Sequence, residues 1–230
     1  MSDDDFSILP DNINNQDFSF KIIVIGDSSV GKSCLTLRGT KDKFKDFYSP
    51  TIGFEFLALN IRIKKKILRL QIWDTCGQEI YRSLISSFYR NSSLAMIVYA
   101  IDNEESFNNV ESWLDEIKCQ THPNLKIFLI GNKSDLEESR VIGKEKAEKF
   151  YLDHKLDFFI ETSAKTGENV QKIFIKAAQM LYEEYSQYIG KEITSDAVNK
   201  STNNISLRTS YTEKENDDND EIKRKKQCSC

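Results

Sequence analysis

The segment GDSSVGKS, residues 26–33, directly follows a short apolar run, FKIIVIG, and limits the possible folds more than any other stretch. It fits G-x-x-x-x-G-K-[ST], in which terminal glycines allow a tight turn and successive backbone N–H groups point inward at an anion. A helix starting near Lys32 would direct its positive end at that anion, while Lys32 reaches phosphate oxygens and the Ser33 hydroxyl ligates Mg²⁺. A chance match is the alternative, but the strand-before, helix-after context favours a nucleoside-triphosphate site.

Apolar runs recur along the chain at 20–26, 54–63, 67–73, 94–101, 125–131 and 156–162. Amphipathic segments typical of helices lie between or after several of them, at 105–118, 144–155 and 168–185. This alternation predicts an α/β fold with a mostly parallel six-stranded sheet and helices on both faces. The second and third runs leave no room for a crossover helix, so they should form one antiparallel hairpin turning at Lys64, Lys65 and Lys66.

Composition predicts one globular domain with polar extensions at both ends. We expect a disordered arm at 1–18, a domain at 19–185 and a flexible tail at 186–230, whose residues 191–221 include few large apolar side chains. The formal charge of -4 and pI near 5.4 argue against a general nucleic-acid-binding role. The scattered cysteines form no framework and indicate reduced thiols in the cytosol, and neither a signal peptide nor a membrane-spanning run is expected.

Two later segments bear on the choice of base. GNKSD, 131–135, follows a buried run, and ligands bind at the carboxyl ends of strands in such sheets. The Asp135 carboxylate could accept two N–H donors from guanine, a pair that adenine lacks. Asn132 could serve the other edge of the base, with the Lys133 stem over its face. TSAK, 162–165, could offer the Ala164 N–H to the guanine O6. Alone, N-K-x-D could be a polar turn.

Five stretches together resemble the Ras-like superfamily of small GTPases over roughly residues 19–185: GDSSVGKS, YSPTIGFEF, WDTCGQE, GNKSD and ETSAK. Within it the chain resembles a Rab, on the strength of IGFEF, LQIWDTCGQEIYRSL, SFYRNSS and a Cys-x-Cys end. The resemblance implies a P-loop NTPase fold of the Ras-like G-domain type. It also implies a GDP/GTP switch that regulates vesicle and membrane traffic.

The resemblance further implies the site residues. The nucleotide would be held by Ser29, Val30, Gly31, Lys32, Ser33, Cys34, Phe44, Tyr48, Thr51, Gly77, Asn132, Lys133, Asp135, Ser163, Ala164 and Lys165. Mg²⁺ would be held by Ser33, Thr51 and Asp74. Phe44 would stack on guanine and Tyr48 would cover the phosphates. On composition alone, either aromatic residue could instead be a packed loop anchor.

The segment DTCGQ predicts the chemistry, because phosphoryl transfer needs neutralised charge and an aligned nucleophile. The Gly77 N–H would bind the γ-phosphate, and Gln78 would orient the attacking water. Gln78 could otherwise be a plain exposed loop residue. Loss of the γ-phosphate would release both Thr51 and Gly77, so that two loops relax together. The absence of an obvious arginine finger in the sequence predicts slow intrinsic hydrolysis that depends on an activating protein.

Several positions depart from the family pattern without removing a predicted ligand: Cys76 for Ala, Ile80 for Arg, Asn91 for Gly and Ala100 for Asp. Cys76 could perturb the switch or be a tolerated small hydrophobe. An apolar surface formed in the GTP state would suit effectors, with simple core packing as the alternative. Its members would be Ile52, Phe54, Trp73, Ile80 and Tyr81.

The C-terminus, QCSC, resembles the double-geranylgeranyl signal of Rabs on Cys228 and Cys230. Two lipid chains anchor stably where one is marginal, and Lys223–Lys226 would add attraction to anionic lipid. A metal-binding thiol pair or an unmodified end are the alternatives. The expected setting is the cytosol and the cytoplasmic face of an endomembrane. Expected partners of the monomer are an exchange factor, an activating protein, a dissociation inhibitor or escort protein, and effectors.

Two other functions remain open at this point. A nucleotide-holding scaffold with negligible hydrolysis is disfavoured by Gln78 and Thr51, whereas Cys76 keeps it possible. A P-loop kinase or ATPase is disfavoured by GNKSD and by the lack of a second-substrate domain.

Overall fold

The computed structural model describes residues 6–10, 13, 15–45, 51–77 and 88–196, with side chains described as far as residue 186. The chain divides after Asn199, and the unit from Lys200 to Cys230 lies outside the described residues. None of the helices in the described ranges has the length and hydropathy of a membrane-spanning segment.

Seven strands form one sheet in the order β1-β3-β4-β2-β5-β6-β7. They are β1 Phe6–Leu9, β2 Phe18–Ile25, β3 Phe54–Ile63, β4 Lys66–Thr75, β5 Leu94–Ala100, β6 Lys126–Asn132 and β7 Phe158–Glu161. β3 runs antiparallel to both its neighbours, and the other pairings are parallel. The predicted α/β fold and the β3–β4 hairpin are therefore confirmed, with seven strands where six were expected.

The additional strand, β1, lies within the segment that the sequence predicted as a disordered arm. Its four residues pair with the outer edge of β3, from Phe6 opposite Ile63 to Leu9 opposite Asn60. Phe6 packs against the hydrophobic core, and the Asn60 side chain donates to the Pro10 carbonyl at 3.0 Å. The prediction was wrong here because a four-residue strand has too little periodicity to be recognised, and an open sheet edge stabilises it.

Five α-helices accompany the sheet in the described ranges: α1 Lys32–Lys41, α2 Glu104–Asn108, α3 Val110–Gln120, α4 Lys144–Asp153 and α5 Val170–Asp196. The predicted helix at 105–118 is divided at Asn109 into α2 and α3. The last helix continues to Asp196, where a flexible tail from 186 was predicted. In the sequence, Tyr188, Ile189 and Ile193 continue the apolar spacing of the helix, and extending an existing helix costs far less than starting one.

The core lies on both faces of the sheet, because side chains alternate along each buried strand. In β2, Ile22 and Val24 pack on the side of α1 and α5, whereas Ile23 and Ile25 pack on the side of α3 and α4. All four of these side chains are fully buried. The arrangement confirms helices on both faces and brings the carboxyl ends of the parallel strands to one edge.

Candidate functional site

Strand register brings the sequence motifs together at the carboxyl edge of the sheet. Val24, near the end of β2, lies opposite Asp74 of β4, and Ala100 at the end of β5 lies opposite Asn132 of β6. Gly131 in turn lies opposite Glu161 of β7. The loops that follow these ends are 26–33, 76–77, 133–135 and 162–165, so four separate motifs share one site.

The loop 26–33 has the backbone that its glycines require. Gly26 has a φ of 138°, and a Cβ there would lie 2.1 Å from the Val98 carbonyl oxygen. Gly31, with a φ of 92°, would place a Cβ 2.4 Å from the Asn132 amide nitrogen. Neither position can take a side chain without movement, so the turn keeps its shape and α1 begins directly behind it. An anion at this turn would lie at the positive end of α1.

The Lys32 side chain folds back onto this loop. Its Nζ donates to the carbonyl oxygens of Gly26 at 2.8 Å and Asp27 at 2.6 Å. Burial lowers the pKa of Lys32 to about 8, an effect that the nearby Asp74 carboxylate opposes. The ammonium is therefore a buried cation at the centre of an anion-binding turn, where a phosphate would stabilise its charge.

Three oxygen-bearing side chains converge beside Lys32. The Ser33 hydroxyl lies 2.8 Å from the Thr51 hydroxyl and donates to Oδ2 of Asp74. The other Asp74 oxygen, Oδ1, is buried and has no hydrogen-bond partner among the described residues. Burial raises the pKa of Asp74 to about 6, with the Ser33 hydrogen bond opposing the rise. Oxygen ligands with a buried carboxylate fit Mg²⁺, which would supply charge neutralisation for phosphate oxygens.

Gly77 lies against the phosphate-binding turn. A Cβ at this position would be 2.4 Å from Nζ of Lys32 and 2.5 Å from the main chain of Asp27, so only glycine fits this approach. The preceding residue, Cys76, is 2% exposed, and its N–H donates to the Gly53 carbonyl at 2.9 Å. Cys76 is thus a buried small side chain in a segment that is bonded to the one carrying Thr51.

Asn132 joins the phosphate side of the site to the base side. Its amide nitrogen donates to the Val30 carbonyl at 2.8 Å, and its oxygen accepts from the Ala164 N–H at 3.2 Å and the Thr162 hydroxyl at 3.3 Å. Asp135 accepts a hydrogen bond from the Ser163 hydroxyl at 2.6 Å. GNKSD and TSAK therefore form one bonded unit behind the phosphate-binding turn.

A model of the Ras family matches residues 21–183, which is more than half of the chain and contains all four loops of the site. The chain belongs to the Ras family. It is accordingly a small GTPase, of a family whose members bind GTP and GDP with Mg²⁺, hydrolyse GTP and switch between two states. Such switches act with exchange factors, activating proteins and effectors. The predicted Ras-like resemblance is confirmed at this level.

Other predicted residues of the small GTPase lie around this unit. Lys133 has a φ of 68° and pairs with Asp102 at 3.2 Å. Ser29, with a φ of 64°, is exposed on the turn, and Val30 is buried beneath it. Cys34 and Phe44 are half-buried and pack against the core on the α1 side. Burial also raises the pKa of the Cys34 thiol.

Arg38 is a site residue that the sequence did not reveal. From α1 it donates to the carbonyl oxygens of Ala164 at 2.9 Å and Lys165 at 2.7 Å. Its guanidinium carbon lies 6.0 Å from the centre of the Phe44 ring. Arg38 thereby ties the TSAK loop to the helix that starts at the phosphates. An arginine on a helix carries no local signal for a contact with a loop 126 residues away.

Two of the residues that depart from the family pattern, Asn91 and Ala100, lie in the described ranges. Asn91 has a φ of 61°, a conformation that asparagine tolerates better than most residues, which explains its presence at a position usual for glycine. Ala100 is buried at the end of β5. Gln78, Tyr48, Ile80, Tyr81, Cys228 and Cys230 lie outside the described residues, so their proposed roles stay predictions.

Proposed function

We propose that this small GTPase is a Rab-type switch that regulates vesicle traffic from the cytoplasmic face of an endomembrane. Two isoprenoid chains on Cys228 and Cys230 would hold it there. In the GTP state it would bind effectors, and a dissociation inhibitor or escort protein would carry the lipids through the cytosol. The main support for this proposal is an aromatic surface that lies between two segments of the site, the one that carries Thr51 and the one that carries Asp74 and Gly77.

That surface, which we call the aromatic patch, consists of Ile52, Phe54, Phe56, Trp73 and Phe88. Ile52 is 84% exposed, and Phe54 and Phe56 are 41% and 46% exposed. The Phe54 ring lies 5.0 Å from Trp73 and 4.4 Å from Phe88, centre to centre. A contiguous apolar surface of this kind is a common docking site for proteins.

The position of the aromatic patch supports a nucleotide-dependent partner. Ile52 follows Thr51, which lies within hydrogen-bond distance of Ser33. Trp73 precedes Asp74 in β4, and the Cys76–Gly53 hydrogen bond joins the two segments. A change in the ligands around Mg²⁺ would therefore move residues at the border of the patch, as an effector-reading surface requires.

The proposed anchor rests on the chain end. Each buried CH₂ contributes about 0.8 kcal/mol, so two isoprenoid chains hold a protein that one holds only weakly. Lys223–Lys226 would each add up to about 1 kcal/mol near anionic lipid. The acidic run Asp217–Glu221 would oppose part of that attraction.

The test is localisation of a tagged full-length protein beside the Cys228→Ser, Cys230→Ser double variant, with Ser229→Ala as the matched control. Wild type and the control should incorporate radiolabelled isoprenoid and concentrate on an endomembrane, and the double variant should do neither. Membrane binding by the double variant, or no isoprenoid in wild type, would contradict the anchor.

Catalysis in the proposed function is slow without a partner. The half-buried guanidinium groups of Arg38 and Arg140 are engaged by other groups, Arg38 by the TSAK loop and Arg140 by Glu137 and Glu161. An arginine supplied by an activating protein is typically worth about 10³ to 10⁵ in rate. Single-turnover phosphate release should accordingly be slow in the purified protein, and slower still in Gln78→Leu. A purified protein turning over at about 10 per second would contradict this view.

A further inference from the structure

Asp27, the second residue of the phosphate-binding turn, has both carboxylate oxygens bound by side chains from one distant region. Oδ2 accepts from the Asn109 amide at 2.7 Å, and Oδ1 accepts from the Trp113 indole N–H at 2.8 Å. The donors lie 82 and 86 residues away in the sequence, at the start of α3. We propose that Asn109 and Trp113 are positioning residues that hold the phosphate-binding turn through Asp27. This role rests on the nucleotide site described above.

A carboxylate in this turn needs such an arrangement. The turn presents N–H groups and an ammonium to an anion, and a negative side chain free to rotate toward phosphates would repel them. Hydrogen bonds to a charged acceptor are roughly twice as strong as neutral ones. Two of them from fixed donors keep the Asp27 charge on the α3 side of the turn. They also fix the peptide whose carbonyl accepts from Lys32 at 2.6 Å.

The donors are held more rigidly than a surface contact would be. Trp113 is 2% exposed, with Val110 and Leu114 of the same helix fully buried. Asn109 lies at the break between α2 and α3, where its N–H bonds back to Glu105 and its carbonyl accepts from Trp113. The division of the predicted single helix thus places a side-chain amide beside the turn.

The far part of α3 is fixed as well. Glu116 accepts a hydrogen bond at 2.9 Å from the hydroxyl of Tyr89, whose ring is fully buried. One helix therefore bonds to the phosphate-binding turn at its start and, further along, to the chain that follows the Gln78 segment. Contacts outside the turn, in the core and at Tyr89, therefore also hold α3 in place.

The experiment measures release of a fluorescent GDP analogue from full-length protein in Mg²⁺. Trp113→Phe keeps the ring and removes the indole N–H, and Asn109→Ala removes the amide. Asn108→Ala is the matched control, because Asn108 is the exposed neighbour of Asn109. We expect release about tenfold faster in the first two variants, which corresponds to about 1.4 kcal/mol, because each loses a hydrogen bond to a charged acceptor. Release from the control should stay within about twofold of wild type.

A background lacking the acceptor separates positioning from general destabilisation. In Asp27→Ala, adding Trp113→Phe should accelerate release no further, because the bond is already absent. The chain has two tryptophans, so the indole N–H resonances in a ¹H–¹⁵N spectrum number two, and the Trp113 signal should move in Asp27→Ala.

Additive effects in that double variant, or release from Asn109→Ala at the rate of Asn108→Ala, would overturn the inference. If Trp113→Phe does not fold, the comparison of Asn109→Ala with Asn108→Ala decides. Failure of the wild-type protein to bind GDP would instead overturn the nucleotide site itself, which is a different result from unchanged variants of a binding protein.

Discussion

Replacement of Asn132 by alanine should loosen the nucleotide site from within. The side chain is 1% exposed and makes three hydrogen bonds, to the Val30 carbonyl, the Ala164 N–H and the Thr162 hydroxyl. A net contribution of about 1 kcal/mol for each bond gives about 3 kcal/mol in total. This free energy corresponds to roughly 100-fold in a dissociation rate or an affinity.

The assay is stopped-flow release of a fluorescent GDP analogue in excess GDP, with thermal unfolding measured on the same samples. Asn132→Ala should release the analogue about 100-fold faster than wild type. Ser134→Ala is the matched control, because its hydroxyl donates to Glu168 on the exposed side of the same loop at 3.2 Å. Its effect should stay within about threefold, since exposed substitutions usually change free energies by about 0.5 kcal/mol.

The reasoning fails if folded Asn132→Ala releases GDP at the wild-type rate. That result would mean that the phosphate and base sides of the site hold their positions without Asn132. It would also remove the physical reason for treating the two loops as one bonded unit.

Three further predictions follow from other parts of the described structure. Gly77→Ala should weaken GDP binding at least about tenfold in a fluorescence titration, because its Cβ would lie 2.5 Å from main chain of the phosphate-binding turn. A binding curve like that of wild type would show that the turn yields easily. Arg140→Ala should lower the free energy of unfolding, measured in urea, by about 2–3 kcal/mol, because it leaves the half-buried Glu161 carboxylate unpaired. Arg140→Lys should recover little of this loss, because the guanidinium fork binds both Glu161 oxygens, at 2.7 and 2.8 Å, and an ammonium lacks that geometry. Full recovery by lysine would indicate simple charge pairing. Asp17 accepts a hydrogen bond from Lys66 that lowers its pKa below the ordinary 3.8, so its contribution is present above that pH and lost as the pH falls through the lower folded value. The melting temperatures of wild type and Asp17→Ala should differ at pH 7 and converge in acid, and a constant difference would contradict the assignment.

The predictable part of this protein is local in the chain. Ile22 to Ile25 alternate between two buried faces within one short run, so their pattern predicts a covered strand without reference to any other segment. The turn from Gly26 to Ser33 carries its own glycines and its own lysine, and the helix that follows is continuous with it. Strand ends at Asp74 and Asn132 could also be located, because parallel strands that alternate with helices must finish at one edge.

The missed features depend on partners distant in sequence. β1 exists because the edge of β3 is free to pair with it, and nothing in four residues of FSIL predicts that edge. The break at Asn109 and the contacts of Arg38 depend in the same way on what lies opposite them. Side chains with ordinary helix propensities carried no signal for these roles.

By itself, the amino-acid sequence determined the α/β alternation, the phosphate-binding turn and the family, because each is recognisable from short stretches of contiguous residues with fixed spacing. Only the tertiary structure decided that Asp27 meets Trp113, that Arg38 meets Ala164 and that Asn132 joins three segments. These contacts join residues 30 to 126 positions apart. Their formation depends on strand order and helix placement, which are set by the packing of the whole core rather than by the preferences of any one segment.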